Sequence, residues 1–166
     1  MIQTRQGVFE TNSSSTHSIV VCRRDTPKEY GFLFISIGEY GWEVNTLTTP
    51  SERASYFYTL ACDFLCRDVA DDIWRVMCKY GIDCEFTTHA HFDEKYGCLD
   101  NGYVDHCGEG QEFVDAMLHS EKRMIDFFFN PGSLVRTAND NCWGDDDPCY
   151  MNPADYPDSE FYYKGN

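Results

Sequence analysis

Hydrophobic positions along the chain follow two different periods, and the change between them divides it. Residues 17–23 (HSIVVCR) and 32–37 (FLFISI) are short β-rich apolar runs, and 42–47 (WEVNTL) and 2–10 (IQTRQGVFE) also read as strands. Thr11 to Thr16 (TNSSST) lies between two of them. Its Asn and Ser side chains favour hydrogen bonds to their own backbone, which predicts a turn. Thr26-Pro27 and Gly38-Glu39-Tyr40-Gly41 punctuate the rest, so the first 48 residues predict an antiparallel meander.

The period changes at Thr49-Pro50-Ser51-Glu52. Thr49 suits an N-cap, Pro50 the first helical position, and Glu52 completes a capping box. Ala54, Phe57, Ala61, Phe64 and Leu65 then share one helical face. Val69, Ile73, Val76, Met77 and Tyr80 form a second stripe, which Gly81 ends. The two stripes predict either one helix kinked near Arg67-Asp68 or two helices. Residues 82–88 (IDCEFTT) read as a strand, the glycine-rich stretch 92–111 as loop, and 111–122 as a third helix carrying Phe113, Met117 and Leu118 inward. Residues 124–129 (MIDFFF) and 133–137 (SLVRT) flank Asn130-Pro131-Gly132 and predict a hairpin. The expected class is α+β: an antiparallel sheet, made of an N-terminal meander and a C-terminal hairpin, packed by two or three helices.

Composition changes this picture at one end. The 166 residues carry a net charge of −15, yet 42% are hydrophobic and 16% aromatic, too apolar for an unfolded acidic chain. A folded protein of this mass exposes about 8,400 Å², so charge density alone argues against a duplex nucleic-acid or anionic-membrane binder. The charge is uneven: residues 140–166 hold one lysine against seven carboxylates, interleaved with six aromatics. The expected organisation is therefore a single α+β domain over 1–139, with 140–166 an acidic, aromatic-rich segment that packs on the domain or a partner. No run approaches the length of a membrane span and residues 1–10 do not resemble a signal peptide, so a cytoplasmic location is expected. The nine cysteines contain no CxxC pair and read as free thiols.

Three clusters are candidates for chemistry. The hydroxyl-rich loop with Ser13, Ser15 and His17 has the residue types for anion binding or nucleophilic catalysis. Asp105-His106-Cys107 offers an acid, a base and a thiol. Asn139-Asp140-Asn141 with Asp145-Asp146-Asp147 offers oxygen ligands, but not at EF-hand spacing. Phosphate-loop, dinucleotide and zinc-protease motifs are absent, so neither a cofactor nor a metal is expected.

Gly7-Val8-Phe9-Glu10-Thr11-Asn12-Ser13-Ser14-Ser15-Thr16-His17-Ser18 resembles the N-terminal signature of a family of small uncharacterised proteins encoded by phages and mobile elements of Firmicutes-type bacteria. Gly102-Tyr103-Val104-Asp105-His106, Phe129-Asn130-Pro131 and Asn139-Asp140-Asn141 are similar to later blocks of that family. Where its relatives carry Asp-His-Gln-Ser, this chain has Asp105-His106-Cys107-Gly108. The resemblance implies a mobile-element origin and carries no catalytic residues with it.

Three functions follow as expectations. The first is a binding protein, not an enzyme, that inhibits a basic host defence protein such as a nucleic-acid-binding nuclease, by analogy with anti-CRISPR inhibitors that mimic nucleic acid. Asp145, Asp146, Asp147, Asp155, Asp158 and Glu160, with Trp143, Tyr150 and Tyr156, would make the contact, extended by Asp68, Asp71 and Asp72. The second is a small nucleotide- or phosphoester-processing enzyme using Ser13, Ser15, His17, Asp105 and His106. The third is a virion or assembly component.

Overall fold

A computed structural model describes residues 15–139 and 151–164, apart from Asp25, Lys28 and Trp42. The predicted strand over 2–10, the turn residues 11–14 and the acidic run 145–147 lie outside the described residues. The class is α+β, with an antiparallel four-stranded sheet and four α-helices among the described residues.

Strand β1 (Ser15–Cys22) is the centre of that sheet. Its first seven residues are all buried, because neighbours flank it on both sides and helices cover its face. β7 (Leu134–Asn139) runs antiparallel along one side, with Ile19 opposite Val135. β8 (Ser159–Lys164) runs antiparallel along the other, with Ile19 opposite Tyr162. β4 (Asn45–Leu47) completes the order β4-β7-β1-β8. Ser15 and Thr16, expected in the turn, are already in the strand.

The expected meander is corrected. β2 (Leu33–Ile35) and β3 (Glu39–Tyr40) do not join this sheet. They pair in parallel with β5 (Cys84–Phe86) and β6 (Tyr103–Val104) respectively. Parallel partners need a long crossover instead of a tight turn, and helices α1 (Pro50–Leu65) and α2 (Ala70–Lys79) supply it. Gly38 to Gly41, read as a turn, contains β3 itself.

Helix α1 begins as its sequence demands. The Thr49 hydroxyl accepts from the Glu52 N–H at 3.3 Å, and the Glu52 carboxylate accepts from the N–H groups of Thr49 and Thr48 at 2.9 and 3.0 Å. Cys66 ends it in a left-handed conformation, so the two helical stripes are two helices. Arg53 to Cys62 are all buried. The hydroxyls on this helix have a defined task. Ser51, Ser55 and Thr59 accept the backbone N–H groups of Phe34, Ser36 and Gly38, each at 3.1 Å. Four helical residues advance about 6.0 Å and two strand residues about 6.6 Å, so the two spacings match. The helix thereby takes the place of a neighbouring strand for the N–H groups along the β2 segment.

The expected C-terminal hairpin is also corrected. Residues 124–129 are helical, within α4 (Glu121–Phe129), which follows α3 (Gln111–Leu118). The Ser120 hydroxyl caps α4 by accepting from the Arg123 N–H. Met124 to Phe129 are all buried, and a helix buried all round loses the 3.6-residue alternation that would distinguish it from a strand. Asn130-Pro131-Gly132 thus joins a helix to β7. Its Asn130 side chain accepts the Gly132 N–H at 2.8 Å and donates to the Arg24 carbonyl.

At the centre lies Arg53, 1% exposed. Its guanidinium donates to the carbonyls of Thr48, Ser133 (2.6 Å), Phe128 (2.6 Å) and Asn130 (3.1 Å). Two of those carbonyls lie at the C-terminal end of α4, where the helix dipole favours a cation. Burial lowers the guanidinium's affinity for its proton, and the adjacent Glu52 opposes that effect.

Candidate functional site

Two groups of carboxylates were expected on the surface, and the structure treats them differently. In the C-terminal segment, Asp145, Asp146, Asp147, Trp143 and Tyr150 lie outside the described residues. Asp155 is exposed in a short turn over Pro153–Asp155, where the Asn152 side chain accepts the Ala154 N–H. Tyr156 is half-buried with its hydroxyl 3.7 Å from the Met151 sulfur. Asp158 is paired with Arg24 at 2.6 Å. Glu160 sits opposite Val21 on β8 and is bound from three directions: by Arg23, by Arg123 Nε at 2.9 Å and by the Tyr162 hydroxyl at 2.8 Å. Its side chain is only 14% exposed. Asp158 and Glu160 therefore fasten the last strand to the domain rather than present free charge.

The second group surrounds the start of α2. Asp68 accepts the Tyr58 hydroxyl at 2.9 Å and the Ala70 N–H at 2.7 Å, and its other oxygen lies 3.5 Å from His89 Nδ1. Asp72 is held by Arg67 at 2.8 Å and Arg75 at 3.6 Å. Asp71 is exposed, and no cation among the described residues pairs with it. Beside it stands Trp74, 54% exposed. Ala70, Asp71, Trp74, Phe86 and His89 line a groove of about 330 Å³. Its floor is ordered by rings: His89 stacks on Phe86 at 5.8 Å and 25°, and Phe86 meets the buried Tyr58 edge-on at 5.1 Å. Burial pushes the Tyr58 phenol well above its ordinary range, so it stays protonated to donate to Asp68.

This groove was missed in the sequence, although one signal points to it. Val69, Ile73, Val76, Met77 and Tyr80 define the inward stripe of α2, and Trp74 falls outside it, among Asp71, Asp72, Arg75 and Cys78. A large aromatic off the apolar stripe has been left on the surface. Phe32 and Phe34 make a second exposed aromatic pair, 4.8 Å apart at the start of β2.

The catalytic candidates are dispersed by depth. Ser13 lies outside the described residues. Ser15 and His17 are two residues apart on β1 and therefore share a face, and both are buried, His17 at 0% exposure. His17 Nδ1 shares a hydrogen bond with the Tyr56 hydroxyl at 2.7 Å, and the Tyr56 ring meets Tyr40 edge-on at 5.2 Å. Burial, with a smaller push from Glu52, raises the Tyr40 phenol to about 12. Asp105 is half-buried; its N–H bonds the Tyr40 carbonyl at 2.9 Å. His106 is exposed and takes a left-handed turn conformation with φ of 54°. Thus Asp105 is tied to the Tyr40 strand, whereas His106 is on the outside and His17 in the interior.

Burial pushes the Cys62 thiol up to about 12, leaving it a protonated, apolar core group. His91 is engaged by both oxygens of Asp100 at 2.7 and 2.8 Å. Among the described residues no group of three or more His, Cys, Asp or Glu is placed to hold a metal ion, and no helix is long and apolar enough to cross a membrane. No family model, curated protein or solved structure matches the chain.

Proposed function

We propose that the protein is an acidic binding module that docks on the basic surface of a nucleic-acid-binding protein and occupies that surface in place of phosphates. The observation that carries this reading is how the chain disposes of its cations. Of its 13 lysines and arginines, Arg53 is buried on carbonyls, and Arg23, Arg24, Arg67, Arg75, Lys79, Lys122 and Arg123 pair internally with Asp72, Glu121, Asp126, Asp158 and Glu160. Among the described residues those pairs engage five carboxylates, while the chain carries 28, so much of its positive charge is paired within the chain and a large negative excess remains. Asp71, Asp83 and Glu85 face solvent, as do Trp74 and Phe34. Exposed aromatics together with an excess of one sign of charge suit fast, salt-sensitive association with a surface of the opposite sign. The mobile-element resemblance of the N-terminal block makes a host defence nuclease the natural target class, and inhibition the natural consequence.

Affinity capture from a bacterial lysate tests the reading. The retained proteins should be basic and nucleic-acid-binding, should be displaced by added duplex DNA, and should be lost steeply between about 50 and 200 mM salt. Retention that is indifferent to both salt and DNA would overturn it.

A further inference from the structure

We infer that the groove between α2 and β5 receives an arginine side chain of the partner. The inference rests on the proposed function and assigns its chemistry to one place. Three observations select the occupant. First, the groove combines an exposed indole with ordered rings: Trp74 is 54% exposed, and His89 stacks on Phe86 in the same lining. Flat cations bind over aromatic faces, best over tryptophan. Second, the carboxylates at the groove are not equivalent. Asp68 already accepts from Tyr58 and Ala70 and faces His89, whereas Asp71 lines the groove without an ion pair among the described residues. Third, Arg67 and Arg75 are both held on Asp72, so the nearest internal guanidinium groups are already engaged.

An aromatic wall with a single carboxylate at its rim is the complement of a planar guanidinium, which stacks and donates to a carboxylate at once. A lysine ammonium is a compact, strongly hydrated charge and uses the wall less well. A second copy of this chain is a poor occupant, because each copy carries a net charge of −15.

The test uses the full chain and two probes, an oligo-arginine and an oligo-lysine peptide of equal length, followed by two-dimensional NMR of the indole N–H groups. The arginine probe should shift the Trp74 indole and the His89 ring, and should bind more tightly than the lysine probe. Trp74→Ala should weaken it roughly 3- to 30-fold. Trp74→Phe should retain part of the affinity, and Val44→Ala, at an exposed apolar residue that does not line the groove, should leave it intact. Four results would overturn the assignment. If the arginine probe binds with Trp74→Ala and Asp71→Asn unaffected, the acidic-module reading stands and the groove is not its site. If the lysine probe binds equally and with equal dependence on Trp74, the guanidinium assignment is lost. Failure of both peptides to bind at low salt would remove both proposals. Indole shifts that follow protein concentration instead of peptide would mark the groove as a self-contact.

Discussion

Asp71 and Glu160 are the same kind of group in two opposite settings. Glu160 lies on an edge strand held by two arginines and a tyrosine hydroxyl, and its side chain is 14% exposed. Asp71 lies in the first turn of a helix, exposed, with no ion pair among the described residues. Both add one unit to the net charge of −15, yet only one offers that charge to another molecule. An acidic composition is therefore the sum of two populations. One is structural and consumes the chain's own cations; the other is available to a partner. The density of carboxylates in residues 140–166 marks the first population at Asp158 and Glu160 as readily as it would mark the second.

The largest effect is expected at the one buried cation of the described residues, which binds carbonyls in place of a carboxylate. Arg53 holds four carbonyls from three parts of the chain: the residue before the α1 cap, the end of α4 and the start of β7. Arg53→Met would fill the volume and leave those acceptors without a donor, an expected cost of about 3–5 kcal/mol. Arg53→Lys should fall between the two, because an ammonium cannot reach four divergent acceptors with three protons. Urea denaturation midpoints measure both. A methionine variant as stable as the parent would mean that these hydrogen bonds stabilise the fold no more than apolar packing does.

The direct comparison uses Glu160→Gln and Asp71→Asn. The first removes a charge shared by Arg23 and Arg123 and should cost about 1–2 kcal/mol, reduced because both arginines are partly exposed. The second should change stability by less than about 0.5 kcal/mol while weakening binding to a basic probe. Thermal denaturation and probe titration on both variants separate the populations. Equal destabilisation by the two, or equal loss of binding, would dissolve the distinction.

What was legible in the chain follows the range of the interactions concerned. The Thr49 capping box is a contact between residues three apart, and it forms as read. The stripes of α1 and α2 are local too, and the run Ile19-Val20-Val21 marked the central strand. What could not be read depends on distant residues. The parallel pairing of Leu33 with Cys84 spans two helices, and nothing in FLFISI specifies it over an antiparallel partner. The helical state of MIDFFF is a tertiary result: Phe127, Phe128 and Phe129 favour strands, but burial on every side of α4 outweighs that preference. Of the expected site, Asp155, Asp158, Glu160 and Tyr156 are described, and the pairing of two of them with Arg23, Arg24 and Arg123 required the fold. Trp74 was visible only as a misfit to the stripe of α2.

Exposure alone does not sort the carboxylates, and Glu52 is the case that sharpens the rule. Its residue is exposed like Asp71, yet it accepts two backbone N–H groups at the start of α1. The hydrogen bond from the Thr49 backbone, above all, holds its carboxyl below the ordinary range, against the opposing effect of burial. A carboxyl depressed in the folded state contributes stability above its unfolded pKa, and that contribution fades as pH falls through the folded value. Glutamine can still accept at this position, so Glu52→Gln should destabilise only slightly at neutral pH, and the difference from the parent should vanish in acid. The smaller push of Glu52 on Tyr40 should also relax, easing tyrosinate formation at alkaline pH. Denaturation midpoints of the two proteins across the acid range measure the first effect, and ultraviolet titration the second. A stability gap that persists unchanged into acid would show that the Glu52 charge does not support the cap. Glu52 would then belong with Asp71, and bonding to the backbone would no longer separate structural carboxylates from available ones.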